Sequence, residues 1–427
     1  MAVTAVRSLT SAGIEFNSRA AAEAYIGGVC FKQGPPRLIG AELEWLTASG
    51  EPSAPARRPE LSLLADALGS HAPPSISPHS PAVPLPGGSR VTIEPGGQVE
   101  LSSAAFSSAA ELCERLLADA EHLERLLESR SIRTLSAAAD GIRPAHRLLQ
   151  LPRYQAMERS FSGIGPFGKL MMCNTAATQV SVDAGADHAE ILARWTALNT
   201  MGPALLAAFA CSPELHGAPA GAWASQRMRT WFRLDHARTR PPVREWTDPI
   251  TAYARWVLDV PLLCVRQAEG ADWAAPPGAT FADWLSGALD DELGRRPDAA
   301  DLDYHLTTMF PPVRASGHLE VRYLDAQPGD AWTVPIHTID ALMSSPEVVA
   351  EATRLAAPVG DRWLEAARCG LSDPEIRVAA TDLMGLAAAH ATSPEAADQL
   401  GAAEHRCRNG RAPTGDALRR EETGPGK

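Results

Sequence analysis

Glu42 and Glu44 are the first residues in this chain whose type and spacing suggest chemistry. They sit in "RLIGAELEWL", residues 37 to 46, a run that otherwise reads as buried strand. Side chains two apart on a strand point to the same face. Two carboxylates ~4 Å apart near a surface repel by about 4 kcal/mol at an effective dielectric near 20. Water, basic partners or a bound cation can relieve that repulsion. The apolar flanks Leu38, Ile39, Leu43, Trp45 and Leu46 weaken the solvated reading.

The pattern recurs. Glu94 and Glu100 bracket a Pro-Gly-Gly turn in "SRVTIEPGGQVELSS", and Glu320 lies on the polar side of the strand "HLEVRYL", beside Arg322. Singly, each piece also fits a solvated strand face, a plain hairpin or a cross-strand charge lattice. If the strands are neighbours in one curved sheet, the five carboxylates converge. Oxygen ligands without His or Cys suit hard cations, Mg²⁺ or Mn²⁺. Mg²⁺ commonly joins a few carboxylates to substrate phosphates, so several carboxylates imply several ions and ATP as a further ligand.

The basic counterpart is "RMRTWFRLDHARTR", with Arg227, Arg229, Arg233, Arg238 and Arg240. Guanidinium forks suit carboxylates and phosphates, although ion pairs on a helix surface would look the same. "GIGPFGKL", residues 163 to 170, imitates a phosphate-binding P-loop, but Leu170 stands where Ser or Thr is needed and the following residues read as strand. A flexible glycine loop is the better reading. No Ser-His-Asp or Cys-His arrangement stands out. His216, His236, His305 and His318 lack metal-ligand spacing and read as structural.

Elements must position these groups. "NSRAAAEAYIGGVC" reads as a helix capped by Asn17 or Ser18. A short helix near residue 61 precedes six prolines between Pro73 and Pro86, a density that forbids regular structure and predicts a mobile insert over about 71–88. A long helix follows over 104–129. "KLMMCNTAATQVSVDAG" reads as strand, residues 186–210 as helix, and residues 345–399 as Ala-rich helix. Strands and hairpins among long helices predict an α+β fold with a largely antiparallel sheet. Without a clean linker, residues 1–403 read as one catalytic domain and 404–427 as a disordered tail.

Composition bounds the function. The 427 residues are 45% hydrophobic and 21% charged, ordinary for a globular protein. A net charge of −12 argues against binding nucleic acid through phosphate neutralisation. No apolar run reaches the ~20 residues of a membrane span, and the N-terminus lacks the pattern of a signal peptide. Seven scattered cysteines without CxxC suit reduced thiols in a cytoplasm. No obligatory protein partner is evident.

Taken in order, "GAELEW", "TIEPGGQVELS", "PRYQAM", "MMCNTAATQVSVD" and "HLTTMFPPVRASGHLEVRYLD" resemble the glutamate–cysteine ligase family, in the branch shared by plants and many bacteria. The nearest resemblance is to actinobacterial enzymes that supply γ-glutamylcysteine for ergothioneine synthesis. It covers roughly residues 17 to 390. It implies a glutamine-synthetase-like curved antiparallel sheet forming a funnel for ATP, two or three Mg²⁺ ions (with Mn²⁺ as a substitute), L-glutamate and L-cysteine. By motif, Glu42, Glu44, Glu94 and Glu100 would ligate metal, with Glu320 completing the shell. Glu42, Glu94 and Arg322 would be catalytic. Thr178, Gln179 and Arg322 would meet nucleotide, and Gln179, Arg233 and Arg238 the amino-acid substrates. The implied reaction is ATP-dependent formation of γ-glutamylcysteine through γ-glutamyl phosphate. A ligase for another amine and a catalytically silent ligand binder are the rival readings.

Overall fold

The structure, a computed structural model, describes residues 16, 18–34, 37–50, 56–240, 247–268 and 270–413. Seven strands form one antiparallel sheet: β1 (Ile39–Ser49), β2 (Arg90–Ile93), β3 (Val99–Ser102), β4 (Ile132–Leu135), β5 (Ala177–Val182), β6 (Val313–Ala315) and β7 (Leu319–Asp325). Their order is β2-β3-β1-β5-β7-β6, with β4 pairing the far end of β1. The glutamate-bearing strand is thus central, which is why its residues meet partners on both sides.

Period-two alternation sorts the side chains. Ile39, Ala41 and Leu43 of β1 join Val91, Ile93, Val99, Leu101, Val180, Val182, Val321 and Tyr323 in one contiguous core. Helices pack around the sheet and contribute to this core. Among them are α1 (Arg19–Cys30), α2 (Leu61–Leu68), α3 (Ala109–Glu128), α4 (Pro152–Ser162), α5 (Phe167–Asn174), α6 (His188–Thr200), α7 (Gly202–Phe209) and α8 (Gln226–Arg233). Local chemistry sets their starts. Ser18 caps α1, its Oγ accepting from Ala21 N at 3.2 Å, while Asn17 lies outside the described residues. Ser108 and Asp187 cap α3 and α6 in the same way. The 186–210 stretch is two helices because Gly202 and Pro203 restart the chain after Thr200.

Three expectations change. The strand expected from Lys169 begins only at Ala177, because Leu170, Met171 and Met172 favour helix and complete α5. The glycine-rich stretch therefore does run into a helix. Lys169 nonetheless pairs with Glu158 at 2.8 Å, and α4, not a strand, precedes it, so no P-loop forms. The proline-rich insert is a packed loop: Ala72 and Leu85 are buried, Val83 N donates to Ser70 O at 2.9 Å, and Gly87 N and Ser89 N donate to the Asp119 carboxylate at 2.6 and 2.9 Å. The helix Pro394–Arg408 crosses the expected tail boundary at 404, with Leu400, Ala403 and Cys407 in the core; residues 414–427 lie outside those described. No helix among the described residues is long and apolar enough to cross a membrane.

His305, in the helix Ala299–Leu306, is structural as expected. It is buried, stacks on Phe281 at 5.3 Å, and its Nε2–H donates to Val257 O at 2.9 Å. Burial pushes its pKa down to about 4. The folded state therefore holds neutral imidazole while the unfolded chain takes a proton near pH 6.5. The resulting stability is complete above pH 6.5 and is lost as pH falls toward 4, by up to about 3 kcal/mol at ~1.36 kcal/mol per unit. Thermal melts of wild type and His305→Gln, which keeps a donor without the titration, should diverge in slope across this window. Parallel curves would contradict the assignment.

Candidate active site on the polar face of the sheet

The registers place the acidic residues side by side. Glu44 pairs with Glu100, and Glu100 with Thr92 on its other flank. Glu42 pairs with Ser102 on one side and Gln179 on the other. Ser181 pairs with Glu320, and Glu320 with Arg314. Directly opposed residues share a face, so one polar surface runs from Thr92 to Arg314. Glu94 continues the Thr92 face into the turn.

Hydrogen bonds hold the acids in place. Gln179 Nε2 donates to both Glu42 (3.1 Å) and Glu44 (3.0 Å), bridging the pair that opened the sequence problem. Ala177 N donates to the other Glu44 oxygen at 2.9 Å, Ser102 Oγ to Glu42 at 3.3 Å, and Thr92 Oγ1 to Glu100 at 2.8 Å. Neutral donors do not cancel charge. Burial, then repulsion from Glu100 and Glu320, holds the Glu42 pKa well above the usual carboxylate range. Burial and the nearby Glu100 and Glu94 push Glu44 up to about 7. Among the described residues no three potential ligands close round one point. Their chemistry still fits a hard cation: Glu42 and Glu44 are partly open to solvent, neither forms an ion pair among the described residues, and the buried Gln179 Oε1 has no hydrogen-bond partner there.

The other end of the face is basic. Arg314 Nε donates to Glu320 at 2.9 Å, its Nη2 lies 2.7 Å from the same carboxylate, and Arg322 Nη1 also donates to Glu320. All three are buried. Although burial acts the other way, the two guanidinium groups hold the Glu320 pKa down at about 2. Glu320, expected from the motif to complete a metal shell, is thus placed as the counter-ion of two arginines. Among the described residues the buried Arg314 Nη1 and Arg322 Nε have no hydrogen-bond partner.

Two further expectations do not reach this face, and one is displaced from it. Thr178 pairs with Leu43 and shares the apolar side with Val180 and Val182, away from the Gln179 side chain. Arg238 is buried and committed to Asp235 (2.5 Å), Pro261 O (2.6 Å) and Thr308, so it braces a loop. Arg233 is exposed at the end of α8, about 200° round the helix from Trp231 at ~100° per residue. Trp231 itself lies under the guanidinium groups of Arg227 (5.8 Å) and Arg322 (5.3 Å). Arg227 Nη2 donates to Arg322 O at 2.7 Å, which makes Arg227 the member of the arginine-rich stretch that reaches the site.

Arg314 and Tyr154 were present in quoted motifs without a role. Folding "VRASGHLE" about Gly317 would have set Arg314 against Glu320 from sequence alone. Tyr154, buried beside Glu94 and Glu100, has its pKa raised by burial and then by those charges.

These assignments separate by stability. Glu320→Gln leaves Arg314 and Arg322 buried without a counter-charge and should lower stability by about 3–5 kcal/mol. Glu42→Gln removes charge from a crowded acidic face, so the melting temperature of the metal-free protein should hold or rise. Calorimetry of both variants in chelator measures the difference. A loss in Glu42→Gln as large as that in Glu320→Gln would contradict the division of roles.

The family model "Glutamate-cysteine ligase family 2 (GCS2)" matches residues 38–426. The chain is 36% identical over 386 residues to the glutamate–cysteine ligase EgtA of Mycolicibacterium smegmatis, covering 88% of this chain and 86% of that protein. It is 35% identical over 381 residues to EgtA of Mycobacterium tuberculosis, covering 88% and 84%. Among solved structures, a Francisella tularensis glutamate–cysteine ligase in complex with AMP aligns with a TM-score of 0.49 at 12% identity, covering 88% of this chain and 82% of that one. The match spans the ExE strand, the Pro-Gly-Gly hairpin and the Glu320–Arg322 strand alike, and the chain belongs to glutamate–cysteine ligase family 2.

Proposed function

We propose that the protein joins the γ-carboxylate of L-glutamate to the amine of L-cysteine at the expense of ATP, giving γ-glutamylcysteine, ADP and phosphate. The observation that carries this reading is the division of one sheet face into an acidic zone (Glu42, Glu44, Glu94, Glu100) and a basic zone (Arg314, Arg322) with donors that have no partner among the described residues. Such a face can hold cationic and anionic ligands side by side. The membership of the family supports the choice of substrates. The product would feed ergothioneine or another low-molecular-weight thiol, and reliance on ATP and free amino acids suits a cytoplasmic enzyme.

The chemistry needs positioning more than a protein nucleophile. The substrate carboxylate attacks the γ-phosphorus of ATP and ADP leaves. The cysteine amine then attacks the acyl carbon of γ-glutamyl phosphate, and phosphate leaves. Divalent cations held by Glu42, Glu44, Glu94 and Glu100 would screen the repulsion between carboxylate and triphosphate. Gln179 keeps Glu42 and Glu44 oriented toward the same space. Arg322 and Arg314 offer N–H donors to phosphate or carboxylate oxygens, and Glu320 fixes both guanidinium planes.

Mass spectrometry after incubation with ATP, Mg²⁺, glutamate and cysteine should find γ-glutamylcysteine, and sustained phosphate release should need both amino acids. Glu42→Gln and Glu94→Gln should each lower turnover by at least about 1,000-fold, the scale of ~4 kcal/mol of lost transition-state stabilisation, while circular dichroism stays native. Equal turnover with a different amine would favour the wider carboxylate–amine ligase reading. Binding of Mg²⁺–ATP without any turnover would favour a silent binder.

A further inference from the structure

The turn that carries Glu94 is buried throughout, from Glu94 to Gln98. Hairpin turns ordinarily sit in water because their backbone groups need partners. Here other elements supply the partners. Pro95 O accepts from Leu148 N at 2.7 Å and from Leu149 N at 3.2 Å. Gly96 O accepts from Arg58 Nη1 at 3.1 Å, and Gly97 O from Thr47 Oγ1 at 2.8 Å. Gln98 Oε1 accepts from Gly96 N at 3.0 Å, while its Nε2 donates to Thr175 O (2.9 Å) and Met172 O (3.3 Å) at the junction of α5 and β5.

The fit is close enough to require both glycines. A Cβ on Gly96 would lie 2.3 Å from Cys173 O, and Gly97 adopts φ +86°. Thr47 has a particular place in this arrangement. The β1–β3 register ends at Trp45 against Val99, and continued by two residues it sets Thr47 against Gly97. The Thr47 hydroxyl thus extends, through a side chain, the ladder that aligns Glu44 with Glu100. Arg58 reaches in from outside the sheet and also holds Cys173 O (3.2 Å) and Asn174 Oδ1 (2.5 Å).

We propose that Thr47, Gln98 and Arg58 are positioning residues for Glu94: they clamp the buried Glu94–Gln98 turn so that its carboxylate keeps station with those of Glu44 and Glu100. The three side chains bond to protein groups of the turn and its surroundings. Each acts through the turn backbone, as outer groups orient inner ligands. This rests on the reading of Glu94 as a cation ligand.

The test is Mn²⁺ binding to the whole protein, followed by electron paramagnetic resonance of the free ion, beside Mg²⁺ activation curves. Thr47→Val should raise the Mn²⁺ dissociation constant by about 10-fold. The Mg²⁺ concentration for half activation should rise by the same factor, with kcat recovered at saturating Mg²⁺. Thr47→Ser, which keeps the hydroxyl, should stay near wild type. Arg58→Lys, outside the sheet, serves as a second probe if Thr47→Val does not fold. Unchanged Mn²⁺ affinity in folded Thr47→Val and Arg58→Lys would overturn the inference. Glu94→Gln in the same titration separates the two levels. If it binds Mn²⁺ as wild type does, the cation reading itself fails. If it alone weakens binding, only the clamp fails.

Discussion

The structure depends on a conflict of like charge across an antiparallel register. Pairing β1 with β3 and β5 buries Leu43, Val99, Leu101 and Val180 on one face. The same pairing forces Glu42, Glu44 and Glu100 together on the other. A one-residue slip would free the glutamates and also turn the apolar set out of the core. Hydrophobic burial therefore fixes the acidic cluster, and burial first, then repulsion among the glutamates, raises the carboxylate pKa values of Glu42 and Glu44. Gln179 manages the arrangement without neutralising it. One amide nitrogen holds two carboxylates and leaves their charge available to a ligand.

The opposite end of the face solves the reverse problem. Glu320 neutralises part of the charge of Arg314 and Arg322, yet each guanidinium keeps an N–H without a partner among the described residues. A second set of bonds fixes the strand behind them. Asp325 accepts from Ser212 Oγ (2.7 Å), Ser225 Oγ (2.8 Å) and Cys211 N (2.9 Å), and Arg227 reaches Arg322 O. The basic zone is thereby pre-organised by buried polar groups, which are costly to leave unmade.

Much of this was legible in the sequence where local pattern and chemistry coincide. The ExE alternation in β1, the Pro-Gly-Gly hairpin and the 319–325 strand each carry both signals, and their carboxylates do share a face. Legibility failed where tertiary contact decides the role. The pairing of Glu320 with two arginines was hidden because strand alternation reports its face but not its counter-ions; the second arginine arrives through a hairpin folded about Gly317. Arg233 and Arg238 looked available because a run of arginines does not reveal which ones helix rotation or Asp235 removes. Thr178 sat beside Gln179 in the motif, and the period of two sent it to the other side. Lys169 to Asn174 reads as strand only when the polar residues that follow are counted with it.

The lengths of the strands at the sheet boundaries have a separate consequence. β2 and β4 span four residues each and β6 three, so the bare backbone presented at these borders is short. A long border would offer a template on which another chain could add a strand. Such an addition would extend the ladder past the hairpins that frame the acidic and basic zones. Abbreviated borders give neighbouring molecules little bare backbone to zip onto, which disfavours aggregation through edge pairing.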